Sequence, residues 1–173
     1  MSDFAHRLKL DQIRDGERLD LVADEAERIA VAERLDLVGL NRLDAHAILA
    51  RDGQQVRASG RLQAALEQSC VVTGQAIAAH VDEAFDILFV PDRAADHSGD
   101  EVELDEQECD VVFHDGAAID LGAAIADTLA LSVDPYPRSA GAEAALKEAG
   151  VMTEEEASPF AVLAALKRND SET

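Results

Sequence analysis

Aromatic side chains are scarce: the 173 residues include no tryptophan, one tyrosine and five phenylalanines. The core must therefore be built mainly from Leu, Ile, Val and Ala, with Phe4, Phe85, Phe89, Phe113 and Phe160 as its expected anchors. So few rings also leave little for a surface that reads nucleic acid by stacking. Cysteine is as sparse. Cys70 and Cys109 are too few for a secreted disulfide framework and too far apart in sequence to argue for a bridge, so both read as buried, reduced thiols. Long apolar runs are missing too. None approaches the roughly 18 residues of a membrane-spanning helix, and no basic segment followed by an apolar one opens the chain. A cytoplasmic protein with no membrane partner is expected.

Positive charge is the other shortage, with 15 Lys and Arg against 36 Asp and Glu, a formal net charge of −21. The imbalance is uneven: residues 1–90 carry −6 and residues 91–173 carry −15. Its densest part lies between Asp92 and Asp110, where Arg93 is the lone cation. Such a run reads as a mobile, solvated loop over about 92–110. A field of one sign also speeds encounter with the opposite sign, so Asp96, Asp100, Glu101, Glu103, Asp105 and Glu106 are candidate docking residues for a basic partner.

What is present is alternation. Leu43, Ala45, Ala47 and Leu49 share one face of a strand over about 40–51, and Asp52-Gly53 offers a tight hairpin turn. Val56, Ala58, Gly60, Leu62, Ala64 and Leu66 line the next strand, about 55–69. After a turn over Cys70 to Gln75, the residues Ile77, Ala79, Val81, Phe85, Ile87 and Phe89 line a third, about 77–90, with Glu83 interrupting the row and Pro91 ending it. Three long strands joined by short turns predict an antiparallel meander with one wet face.

Shorter strands are read at Arg7–Leu10, Leu19–Val22 and Val111–Phe113. Asp24 with Glu27 forms a capping pair for a helix to about Leu37, with Ala26, Ile29 and Ala30 on its inner face. Asp120 caps a helix whose Leu121, Ile125 and Leu129 recur at helical spacing. Further helices are read from Ala142 to Ala149 and from Ser158-Pro159 onward. The fold class is therefore α+β, an antiparallel meander packed with an N-terminal helix and C-terminal helices. One domain over 1–168 and a frayed tail over 169–173 are expected.

Chemistry is harder to find. There is no phosphate-cradling glycine loop, no nucleophile elbow and no His-Glu-x-x-His pair. Cys70 with His80 or His114 would make a thiol enzyme only if the fold joined them, and the carboxylates around Asp100 offer a hydrolytic alternative. His97 beside Asp96 and Asp100, and His114 beside Asp115, lack any recognised metal-ligand spacing. No catalytic residue, metal ligand or cofactor is assigned. Arg57 and Arg61 share the polar face of the central strand, with Arg42 and His46 opposite, and form a possible RNA patch. Cross-strand pairing with Asp44 and Glu67 would instead neutralise it.

The C-terminal third carries a more specific signal. Asp120-Leu121-Gly122 opens an apolar run to Leu131, followed by Asp134-Pro135-Tyr136-Pro137-Arg138 and then Ser158-Pro159-Phe160 leading into Val162 to Lys167. With Cys70-Val71-Val72-Thr73, this succession resembles the YceD family of large ribosomal RNA subunit accumulation proteins, over about Phe4 to Lys167. In many members a second cysteine stands three positions after the first. Here that position is Thr73, and a hydroxyl is a poor substitute for a thiolate ligand. The resemblance implies a non-enzymatic role in large-subunit (23S) rRNA accumulation. The acidic composition directs that role toward a basic ribosomal protein or assembly factor rather than toward RNA phosphates.

Overall fold

The computed structural model describes residues 4–92 and 110–151. The contacts gather into two compact units, Met1–Gln68 with Ala78–Pro135 and Ser69–Ile77 with Tyr136–Thr173, where the sequence reading treats 1–168 as one domain. The acidic docking residues Asp96 to Glu106, Cys109, the helix start at Ser158 and the 169–173 tail all lie outside the described residues.

The first unit is built on five hydrogen-bonded strands in the order β2-β3-β4-β5-β6: β2 Glu17–Val22, β3 Gly39–Asp52, β4 Gln55–Ser69, β5 Ala76–Pro91 and β6 Asp110–His114. The three long strands match the alternation within a residue at each end. Gly53 opens the two-residue loop between β3 and β4 at φ +60°, a conformation that glycine adopts without a Cβ penalty. The inner face buries Leu43, Ala45, Ala47 and Leu49 of β3 against Val56, Ala58, Leu62, Ala64 and Leu66 of β4 and Val81, Phe85, Ile87 and Phe89 of β5. Glu83, in the same row, is exposed.

Not all of the sheet is a meander. β6 runs parallel to β5, pairing Phe89 with Val112 and Val90 with Phe113. A separate two-stranded sheet joins β1 Arg7–Lys9 to β7 Ala118–Asp120. These pairings link segments far apart in sequence, so no local pattern announces them.

Helix α1, Glu25–Arg34, is shorter than expected but starts where read: Asp24 accepts from the Glu27 N–H at 2.9 Å and Glu27 accepts from the Asp24 N–H at 2.8 Å. Its buried residues are Val31 and Ala32, whereas Ala26 and Ile29 are exposed, so the expected inner stripe was displaced. The packed stripe is Arg28, Val31, Ala32 and Leu35, at i, i+3, i+4 and i+7, turned toward β3. Helix α2, Leu121–Ser132, buries Leu121, Ile125 and Leu129 as its spacing predicts, with Asp120 accepting from the Ala123 N–H at 3.0 Å. Phe113 is a second correction. It is 67% exposed on β6, because the alternation there turns Val112 and His114 inward instead.

In the second unit, Cys70–Gln75 forms the expected turn, closed by Cys70 N–H to the Gln75 carbonyl at 2.8 Å, with Gly74 at φ +71°. Helix α3, Ala142–Glu148, follows, and its end is marked by Gly150 at φ +75°. No helix among the described residues is long and apolar enough to cross a membrane.

Candidate functional site

The polar face of the sheet brings together Arg42, His46, Arg57 and Arg61, as the alternation of β3 and β4 requires, but it brings carboxylates with them. Arg57 donates from Nε to Asp86 Oδ1 at 2.7 Å and makes a second bond to the other oxygen. Arg61 is paired with Asp82, and Arg42 grips Asp44, one of its bonds being 2.8 Å. His46 Nδ1 lies 2.5 Å from Asp20. The Arg61 guanidinium holds Asp82 below the usual carboxylate range, and Arg57 does the same to Asp86. Arg42 and Arg61 are correspondingly raised by hydrogen bonding to their carboxylates.

The partners of Arg57 and Arg61 come from β5, not from Asp44 or Glu67. Same-face neighbours on an adjacent strand depend on register across both hairpins, which the sequence of one strand does not contain. Beside them, Asp20, Asp44, His46, Arg61 and Gln63 line a groove of about 480 Å³. A phosphate entering it would have to compete with carboxylates already bound to each arginine. The face is self-compensated.

A different constellation occupies the second unit. The Cys70 thiol, 3% exposed, accepts from the N–H groups of Ser139 at 3.3 Å and Thr73 at 3.4 Å. Thr73 Oγ1 lies 3.4 Å from Ser139 Oγ, and the Val71 N–H donates to the Pro137 carbonyl at 2.9 Å. Hydrogen bonds from Ser139 and then Thr73 lower the thiol pKa to about 6. Thr73 thus serves the turn by holding the sulfur with its N–H and accepting from the Gln75 N–H at 3.4 Å. Among the described residues, no group of three or more His, Cys, Asp and Glu is placed to hold a metal ion.

Among the described residues, no imidazole is hydrogen-bonded to this sulfur. The buried His114 accepts at Nδ1 from the Gly116 N–H at 3.0 Å, which leaves Nε2–H to donate to the Gln54 carbonyl at 2.9 Å. His80 is exposed on β5. The lowered Cys70 pKa carries a stability consequence. A depressed folded-state pKa adds stability that is complete above the unfolded value near 9 and fades as pH falls through about 6. The urea midpoint of the wild-type chain should therefore rise between pH 6 and pH 9 relative to that of Cys70→Ala. Parallel pH profiles for the two chains would show that the thiolate is not stabilised.

The third feature lies where β6, β7 and the start of α2 meet. A groove of about 280 Å³ is lined by Phe89, Val112, Phe113, Ala123 and Ala124, with Asp115, Asp120, Asp127 and Arg7 also on its walls. Asp115 accepts from the Ala117 and Ala118 N–H groups and pairs with Arg7 at 3.1 Å. Those backbone donors first, and Arg7 after them, keep its carboxyl ionised well below the usual range. Sequence reading missed this groove. The one available signal was the cluster of Asp115, Asp120 and Asp127 around an apolar helix face.

Among protein families, the description "Large ribosomal RNA subunit accumulation protein YceD" matches residues 58–167, from β4 onward. No curated protein and no solved structure matches the chain.

Proposed function

Since the chain belongs to the family of large ribosomal RNA subunit accumulation proteins, we propose that it supports accumulation of 23S rRNA as a non-enzymatic factor that binds a basic ribosomal protein or assembly factor. The observation that carries this reading is electrostatic. A net charge of −21 opposes the counterion release that drives RNA binding. The arginines of the polar face that could offset it, Arg57 and Arg61, are each bound to a carboxylate of the same sheet. Cationic polypeptide meets the same surface as an attractive field, and the acidic segment with Asp96, Asp100, Glu101, Glu103, Asp105 and Glu106 strengthens it.

Affinity purification from cells at low and moderate salt, with and without RNase, separates the two kinds of partner. Basic proteins should survive RNase and fall away with salt, and deletion of residues 96–106 should lower their recovery. RNase-sensitive recovery would instead point to direct RNA contact. The Arg57→Ala, Arg61→Ala double variant should leave rRNA crosslinking unchanged, and a clear fall would move the binding surface to the polar sheet face.

A further inference from the structure

The edge formed by β6 has features of a docking strand. Among the described residues it is the last strand of the five-stranded sheet. The Asp92 N–H donates to the His114 carbonyl at 2.9 Å, which turns the polar groups of His114 toward the β5 side. In an extended strand the N–H and C=O of one residue share a side and neighbours alternate, so Val111 and Phe113 turn theirs outward. Beside that edge lies the 280 Å³ groove, floored by apolar side chains, with Phe113 at its rim 67% exposed. In a chain with only five phenylalanines, one left 67% exposed next to an apolar groove and a backbone edge that no other described strand pairs is a costly placement.

Charge selects the occupant. Three aspartates line the groove, Asp115 paired with Arg7 at 3.1 Å and Asp127 with Arg34 at 3.3 Å, so its wall keeps a net negative charge, and Asp92 and Asp110 stand at the ends of the paired strands. A second copy of this chain would bring its own −21 to the same edge and be repelled. An extended segment alternating Lys or Arg with apolar residues satisfies all three demands: backbone pairing, apolar filling and opposite charge. Resting on the reading that the partner is basic, we propose that β6 and its groove capture such a segment of that partner as an added β-strand.

The test titrates the ¹⁵N-labelled full chain with the blocked heptapeptide Lys-Val-Lys-Phe-Lys-Val-Lys. Amide shifts should centre on Asp110–Asp115 and the start of α2, and should weaken with salt. Val111→Pro removes an outward donor while sparing the ladder to β5, and Phe113→Ala removes the rim; each should weaken binding about tenfold. Circular dichroism checks that both fold, and Phe113→Ala alone decides the matter if Val111→Pro does not. No binding by the wild-type chain, or equal binding by Phe113→Ala, overturns the proposal. In cells, basic proteins recovered equally by wild type and Phe113→Ala would sink the groove and leave the basic-partner reading intact. Peptide binding at β6 without any basic protein recovered from cells would do the reverse.

Discussion

Gly60→Ala should destabilise the chain by about 3 kcal/mol or more, as a fall in urea midpoint, and should reduce its steady-state level in cells. A Cβ at Gly60 would lie 1.9 Å from the His46 carbonyl oxygen and 2.9 Å from Phe85 Cζ. The nearer atom belongs to the backbone of the paired strand, so no rotamer change relieves the overlap. β3 would have to move, and with it Ala45, Ala47 and Leu49, which are fully buried against β4. Two other glycines calibrate the effect. Gly53→Ala meets no atom within 4 Å but must hold φ +60°, costing about 1 kcal/mol, whereas Gly39→Ala has open space and an ordinary φ and should be neutral or slightly stabilising. An order other than Gly60, Gly53, Gly39 in decreasing cost would contradict the close approach of β3, β4 and β5.

Phe89→Ala should cost about 3–5 kcal/mol, with the denaturant slope unchanged. The ring is 1% exposed on β5, among aliphatic neighbours that cannot fill its volume, and it also floors the β6 groove. Phe113→Ala, on the adjacent strand, should change stability by about 0.5 kcal/mol or less, because that ring is mostly in water. The two phenylalanines are therefore opposites in energetic role. Equilibrium unfolding of both variants under the same conditions reads the contrast directly, and similar losses would place Phe113 in the core after all.

That pair also shows where sequence reading stops. Phe89 was legible because it ends a row of six alternating apolar residues, broken only at Glu83, long enough to identify the inner face. Phe113 sits in Val111-Val112-Phe113, three apolar residues in succession, where alternation cannot say which side is wet. The α1 stripe failed for a related reason: ten helical residues carry several small apolar positions, and the position of the sheet chose Val31 and Ala32 over Ala26 and Ile29. At the polar face, Arg57 and Arg61 were readable as neighbours, but their carboxylates came from a strand whose register only folding defines.

By itself, the order of residues determined the elements whose causes are local: three long strands from period-two alternation, the Gly53 turn, and the Asp24–Glu27 and Asp120 caps, together with the net charge of −21. Tertiary structure alone decided what depends on distant partners. It laid β6 parallel to β5, joined β1 to β7, set Ser139 and Thr73 around the Cys70 sulfur, and opened an acidic groove beside Phe113. Hydrogen-bond caps and pleat period act within a few residues, whereas strand order and side-chain pairing are settled by which buried surfaces pack together across the whole chain.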